Sequence, residues 1–258
     1  FLYWIKNIKK LNLTEKKVEK KLENYRKQNK NYLYPSFDTI AGSGPNGAII
    51  HYKSNKRSNR KINKNDLLLI DSGGQYKWGT TDVTRTICFS KATNKIKELF
   101  TRVLKGHIAV SQCNISSEKV GHNIDKKARQ SLKNIGLDYR HGTGHGVGFF
   151  LNVHEGPQSI SKKNYVKLEK GMVVSNEPGY YLENKFGIRI ENLVFIKKIK
   201  NKLCFENLTF APIDKDLINL KMLTDKEKSY LFNYHLETYS KISPFLNKNQ
   251  KKWLAKLI

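Results

Sequence analysis

YRHGTGHGVGFFLNVHEGP, residues 139–157, places three histidines around a glycine-rich turn with almost no other charge. The histidines are His141, His145 and His154. Glycines on both sides of His145 permit close backbone approach and unusual φ angles, which suits a turn that presents a ligand. The run therefore indicates a metal or substrate site. A phosphate cradle is the competing interpretation, but the Lys-Ser/Thr ending of a P-loop and its strand-then-helix frame are missing.

Two aspartates flank a predicted hairpin. LLLID enters a buried strand, Gly73 and Gly74 are predicted to turn it, and TTDVTRTICF returns. Asp71 and Asp82 would then meet at one end of the sheet. Asp71 directly follows four apolar residues, and a buried carboxylate must be paired or metal-bound. The alternative is that Asp71 caps a turn and Asp82 is solvated.

Two glutamates follow further apolar strands. Pro178-Gly179 ends the strand GMVVSN and holds Glu177 at its tip, whereas the alternation of FGIRIE puts Arg189 and Glu191 on one face. An ordinary surface pair of Arg189 and Glu191 is the alternative. The four carboxylates with His145 favour an oxygen-rich site for Mn²⁺-like or Zn²⁺ ions, and hence a two-metal hydrolase.

Composition sets broad limits. The chain has 258 residues, 38% of them hydrophobic, which is enough for one large core or two smaller ones. The net charge of +26 could indicate nucleic acid, but lysines scattered beside asparagines, without a basic-aromatic stripe, favour a merely basic surface. Three widely spaced cysteines fit free thiols in a reducing compartment. No apolar run is long enough to predict a transmembrane helix.

Hydrophobic periodicity predicts helices over residues 14–29, 91–112 and 122–135 and in the tail 223–258. AIIHY, from Ala48 to Tyr52, is predicted as a strand, and short apolar segments between 171 and 210 as antiparallel strands. Helices and strands in blocks favour an α+β fold. Three further histidines are interpreted as surface or helix-end residues: His107, His122 and His235.

Several motifs together resemble one peptidase family. HGTGHGVG…NVHEGP, NEPGYY, GIRIEN, DSGGQY…TTDVTRT and SFDTIAGSGPNGAIIHY are similar to the catalytic domain of Xaa-Pro aminopeptidases (aminopeptidase P) of the eukaryotic cytosolic type. The resemblance covers about residues 36–197, and the stretch from LTFAPIDKDLI onward resembles that group's C-terminal extension. Cys88-Phe89-Ser90 departs from an expected His-Phe-Gly, at a position that is not a ligand in the family.

The resemblance implies a pita-bread fold, with two pseudo-related α+β halves around a dinuclear metal site. It implies a catalytic domain over residues 1–197, with 1–35 as its leading helix, and an extension over 198–258 packed on it. Because the chain begins Phe-Leu-Tyr-Trp, we expect it to lack amino-terminal domains of a longer protein. We expect a homodimer in the cytoplasm, or in another compartment if the missing part carries a signal.

The resemblance also implies roles for individual residues. Asp71 would bind one metal ion, Asp82 and Glu191 would bridge both, and His145 and Glu177 would bind the other. The ions are expected to be Mn²⁺, with Zn²⁺ or Co²⁺ possible. Glu177 would also handle protons, His51, His141 and His154 would contact the substrate, and Arg189 would orient Glu191.

The implied activity is removal of the amino-terminal residue from peptides with proline in the second position, by a water that two metals activate. A peptide is the expected partner; neither a membrane nor nucleic acid is. Two alternatives stay open: a non-catalytic pita-bread module that binds through its basic surface, and a prolidase-like dipeptidase.

Overall fold

A computed structural model describes residues 1–8 and 12–258. The chain begins with α1 (Leu2–Lys6) and α2 (Glu15–Arg26). Thr14 caps α2 by accepting a hydrogen bond from Lys17 N at 3.4 Å, and Leu13 and Val18 share one core cluster. The predicted helix is therefore confirmed, although it ends at Arg26.

The first half of the fold is built on the sheet β2 (Ile40–Ser43), β3 (Leu67–Ser72) and β6 (Val83–Cys88), antiparallel in the order β2-β3-β6. All of β3 is buried, and Asp71 pairs with Thr84 across the ladder. A second sheet contains β1 (Tyr32–Pro35), β4 (Gly74–Tyr76) and β5 (Gly79–Thr80). β3 and β6 therefore pair as predicted, but two further strands, β4 and β5, lie between them in the chain.

The predicted turn at Gly73-Gly74 is wrong, because the chain reverses between Tyr76 and Gly79. Gly73 has a different reason to be glycine. A Cβ there would lie 1.9 Å from the Thr81 carbonyl oxygen, so only glycine permits this close approach of two backbones.

The predicted strand from Ala48 to Tyr52 is also wrong. Gly44–Ala48 forms a 3-10 helix, turns follow it, and Ile49 is 54% exposed. The buried carboxylate of Glu15 holds this segment by two of its side chains. It accepts from Asn46 Nδ2 at 3.0 Å and from Tyr52 Oη at 2.7 Å, which holds the segment in a compact turn.

Helices α3 (Asn94–Ser111), α4 (Ile115–Glu118) and α5 (Gly121–Lys133) follow. The first and last of these confirm the two predicted helices, and Gly136, with φ of 73°, lies just beyond the end of the second. His107 and His235 are fully buried, so their interpretation as surface histidines is wrong, whereas His122 lies at the start of α5.

The second half contains the predicted antiparallel strands. β9 (Val173–Asn176), β12 (Asn192–Ile199) and β13 (Lys202–Asn207) form one sheet in the order β13-β12-β9. β10 (Gly179–Leu182) pairs with β11 (Phe186–Arg189), and β7 (Gly144–His145) with β8 (Ser159–Ile160). Because Asn176 pairs with Asn192, the residues next to them, Glu177 and Glu191, come together.

The tail is helical, as predicted, with α6 (Asp225–Ile242) and α7 (Lys248–Ala255). Leu223, Leu231 and Tyr234 join residues of α3 in the largest apolar cluster, so the tail packs on the core. The three cysteines are free thiols, as expected. Within residues 1–8 and 12–258, no helix combines the length and apolar character needed to span a membrane.

Candidate metal centre

The predicted ligands converge in one cleft. Ligand atoms of Asp82, His145 and Glu191 all lie within 4.8 Å of one another. His145 Nε2 is 3.4 Å from Asp82 Oδ2 and 3.4 Å from Glu177 Oε1. Asp71 lines the same cleft, whose volume is about 450 Å³. The five candidate ligands, which lie between positions 71 and 191 of the sequence, therefore form a single cluster.

Backbone pairing fixes where these side chains lie. Asp71 is on the central strand β3, and Asp82 directly precedes the neighbouring strand β6. Glu177 N donates to the Thr143 carbonyl oxygen at 2.7 Å, next to β7, which carries His145. Glu191 N donates to the Thr84 carbonyl oxygen at 3.1 Å, which joins the two halves of the fold at the cluster.

Three carboxylate oxygens of the cluster are buried without a hydrogen-bond partner in the described part of the chain: Asp71 Oδ1, Asp82 Oδ1 and Glu191 Oε1. Burying a carboxylate oxygen without a partner is costly, and a bound cation removes that cost. Carboxylates with one imidazole are a ligand set for divalent ions such as Mn²⁺ or Zn²⁺. The residues present therefore fit a metal site.

The cluster's pKa values show the same electrostatic conflict. Burial raises the pKa of Asp82 well above its usual range, and the nearby negative charges of Glu191, Asp71 and Glu177 raise it further. Burial, then Asp71 and Glu177, likewise raise the pKa of Glu191. The pKa of Glu177 is raised chiefly by burial, against the opposing effect of His145. So many carboxyls cannot ionise together here without added positive charge.

Arg189 supplies part of that charge and links the cluster to a histidine. It donates from Nη2 to Asp71 Oδ2 and from Nη1 to Tyr181 Oη, both at 2.6 Å. Tyr181 Oη lies 2.8 Å from His141 Nε2. Because His141 Nδ1 faces the Gly142 carbonyl oxygen at 2.7 Å, Nδ1 carries the proton and Nε2 accepts from Tyr181.

Burial, with the nearby Arg189, lowers the pKa of His141 to about 3, so this imidazole is neutral at pH 7. Arg189 reaches Glu191 through Thr84: Arg189 Nε donates to Thr84 Oγ1 at 3.2 Å, and Thr84 Oγ1 donates to Glu191 Oε2 at 2.7 Å.

The other two predicted substrate histidines line the cleft. The His154 ring is 4.1 Å from the His145 ring, centroid to centroid, and burial with the His145 charge lowers the pKa of His154. His51 is exposed on the turn that Glu15 holds. Both can reach a molecule in the cleft.

Two residues of the site were missed. Thr84 lies in TTDVTRT, where the period of a strand would have put it on the same face as Asp82. Tyr181 lies in NEPGYY, but which of the two tyrosines faces the cleft depends on the pairing of β10 with β11.

A buried carboxylate cluster with one histidine, at the junction of two α+β halves, is suited to metal-dependent hydrolysis. The chain belongs to metallopeptidase family M24: its family model matches residues 1–198, and a model of the C-terminal region of peptidase M24 matches residues 201–257. The α+β pita-bread fold expected from the sequence is therefore confirmed.

Individual relatives agree. Aminopeptidase P2 of Arabidopsis thaliana is 49% identical over 257 residues, which cover 95% of this chain and 36% of that protein. The structure of an X-prolyl aminopeptidase from Caenorhabditis elegans, described as a cytosolic enzyme with a di-nuclear active site, matches with a TM-score of 0.89 and 36% identity, over 95% of this chain and 42% of that one. Prolidase from Pyrococcus furiosus matches with a TM-score of 0.71 and 31% identity, over 81% and 58%. The chain thus spans about two fifths of the length of these aminopeptidase relatives.

Proposed function

We propose that this chain carries the catalytic part of an Xaa-Pro aminopeptidase, a metal-dependent exopeptidase that removes the amino-terminal residue before a proline. The observation that carries the proposal is the set of three buried carboxylate oxygens without partners in the described chain, beside His145. The aminopeptidase names of its relatives supply the substrate class.

Asp71, Asp82, His145, Glu177 and Glu191 would hold two divalent ions. Bound there, the ions would supply an activated water and a positive field for the developing oxyanion. Mn²⁺ is our proposal for the ion, since hard oxygen ligands predominate. Ser175 Oγ donates to Glu177 Oε1 at 3.0 Å and so fixes the carboxylate that we assign to proton transfer.

The histidines would bind and orient the peptide. Neutral His141, fixed by Tyr181, forms one wall of the cleft that Phe37 also lines, and this wall would receive the proline ring. Proline has no amide hydrogen and a fixed φ, so it can be selected by shape. His51 and His154 would hydrogen-bond the substrate carbonyl oxygens.

The test is hydrolysis of Xaa-Pro-Yaa tripeptides by metal-stripped protein with and without Mn²⁺, with Xaa-Ala-Yaa peptides as the control. We expect Mn²⁺ to restore release of the first residue from the proline peptides only. Absence of turnover by a folded, Mn²⁺-loaded protein would overturn the proposal.

Prolidase activity is the second candidate, because prolidase structures have the same fold. Cleavage of Xaa-Pro dipeptides without cleavage of longer peptides would favour it. The non-catalytic module has no support, since all five ligand positions are filled and the named relatives are peptidases.

We further propose a catalytic domain over residues 1–197 with an extension over 198–258, a homodimer, and a cytoplasmic location. The β12–β13 hairpin crosses the division between the two parts, so we expect them to unfold together. Light scattering of the protein tests the dimer: a monomeric mass would contradict it.

A further inference from the structure

Arg85 on β6 is a buried arginine that holds the backbone of Glu191. Its side chain donates from Nη1 to the Glu191 carbonyl oxygen at 2.5 Å and to the Thr84 carbonyl oxygen at 2.7 Å. Nη2 donates to Asn192 Oδ1 at 2.7 Å. The guanidinium therefore fixes the peptide unit that follows the candidate metal ligand.

The same guanidinium is held on its other side by the C-terminal region. Nε donates to the Pro212 carbonyl oxygen at 3.0 Å, and Nη2 also lies 2.7 Å from the Ala211 carbonyl oxygen and 2.9 Å from Tyr234 Oη. Tyr234 Oη in turn donates to the Ala211 carbonyl oxygen at 2.6 Å. Every N–H group of Arg85 thus has an acceptor.

None of these acceptors is a carboxylate, and Arg85 takes part in no ion pair within residues 1–8 and 12–258. Burial of an unpaired guanidinium is costly unless neutral acceptors surround it. The C-terminal region provides three of them, so the position of Arg85 depends on residues beyond the catalytic core.

We propose that the C-terminal region is a working part of the metal centre: Tyr234 and the segment 211–212 fix Arg85, and Arg85 fixes Glu191. Arg85 and Tyr234 are positioning residues in this scheme, since neither is among the five candidate ligands. The inference rests on the proposed metal site but not on the proposed peptide specificity.

Tyr234→Phe tests the scheme, because it removes one hydroxyl and keeps the ring. Tyr230→Phe is a matched control one turn earlier on α6. The two rings are stacked with centroids 6.4 Å apart, and the buried Tyr230 hydroxyl, near Ser111 and Asn207, makes no hydrogen bond of good geometry in the described chain.

We expect Tyr234→Phe to weaken Mn²⁺ binding about 10-fold in competition with a chromophoric chelator, the size typical of changes next to metal ligands. Tyr230→Phe should bind Mn²⁺ as the unmodified protein does. Tyr234→Phe should also lower the thermal midpoint of the metal-free protein, because buried groups lose a hydrogen-bond partner, whereas Tyr230→Phe should change it little. Arg85→Lys, which keeps the charge but loses the planar fork, should weaken Mn²⁺ binding more than Tyr234→Phe does.

Equal Mn²⁺ affinity in Tyr234→Phe and the unmodified protein would overturn the inference, whatever the thermal midpoints. So would an equal loss in both tyrosine variants. In peptide assays kcat should fall while KM changes little, because the change acts on the metal centre. If the unmodified protein binds Mn²⁺ but cleaves no peptide, the proposed function fails, while the chelator comparison still decides this inference.

Discussion

Arg189 Nη2 donates to Asp71 Oδ2 at 2.6 Å across 118 positions of sequence, and both side chains are buried. One guanidinium thereby orients a candidate metal ligand and, through Tyr181, the neutral His141. The metal cluster and the substrate wall of the cleft share this one arginine.

Arg189→Lys should impair the metal cluster and the substrate wall together. An ammonium cannot reach Asp71 and Tyr181 in the planar geometry of the guanidinium. We expect Mn²⁺ affinity and kcat/KM each to fall by about 10- to 100-fold. Chelator competition and peptide kinetics measure these effects. Arg140→Lys, an exposed arginine in the same histidine-rich segment, is the control; an Arg189→Lys protein that behaves like it would contradict this role.

Tyr181→Phe should separate the effect on peptide cleavage from the effect on Mn²⁺ affinity. Without the hydroxyl, His141 Nε2 loses its donor, while the Arg189–Asp71 bond remains. We expect kcat/KM for proline peptides to fall about 10-fold, which corresponds to one lost hydrogen bond in a buried site. Mn²⁺ affinity should change much less. Tyr180→Phe, on the opposite side of the same strand, provides the comparison; a matching loss there would show a general effect on β10.

Metal binding should strengthen with pH. The pKa values of Asp82 and Glu191 are raised above their ordinary 3.8 and 4.5 by burial and mutual repulsion. Such groups stabilise the metal-free protein fully below the ordinary pKa, and this contribution is lost as pH rises through the raised folded-state pKa. Protons also compete with the metal for these oxygens.

The gain in thermal midpoint on adding Mn²⁺ should therefore increase between about pH 5 and pH 8. Scanning calorimetry at several pH values checks this. A gain that stays constant over that range would contradict the raised pKa values of Asp82 and Glu191. Asp82→Asn, which removes one titrating ligand, should reduce both the gain and its dependence on pH.

His235 should contribute to acid unfolding. Its Nδ1 donates to the Leu257 carbonyl oxygen at 2.9 Å and its Nε2 accepts from Ile213 N at 3.2 Å, so the buried ring is neutral. Burial lowers its pKa to about 4 from 6.5. The contribution of this neutral ring to the stability of the folded protein is fully present above pH 6.5 and is lost as pH falls towards 4.

Protonation of His235 can lower the free energy of unfolding by up to about 1.4 kcal/mol per pH unit, the value for one proton. Urea unfolding of His235→Gln should have a shallower dependence of the unfolding free energy on pH between 6.5 and 4 than the unmodified protein. His122→Gln gives the reference curve. Parallel curves for His235→Gln and the unmodified protein would show that this ring does not govern acid unfolding.

The sequence was sufficient for features that depend on local pattern. Apolar periodicity located α2, α3 and α5, and the apolar runs located the strand that carries Asp71 and the strands next to Glu177 and Glu191. The five predicted ligands all lie in a strand or directly next to one, and the resemblance to the peptidase family assigned their roles.

Features that depend on distant partners could not be predicted. The segment at 48–52 has a strand's composition, but the Glu15 carboxylate, more than thirty positions away, holds Tyr52 in a turn. His107 and His235 became core residues because backbone carbonyls of Asn176 and Leu257 lie opposite them. No sequence feature near Arg85 predicts that it contacts both Glu191 and Tyr234.

The link from Arg85 to Tyr234 also has a consequence for how the protein is made. A chain growing from the ribosome releases Asp71 first and Glu191 last among the ligands, yet Tyr234 follows a further stretch later. Until that helix has docked, Arg85 lacks its outer acceptors and Glu191 its support. We therefore expect tight capture of metal only after the segment that carries Tyr234 has been made and has docked, and not at the moment when the fifth ligand emerges.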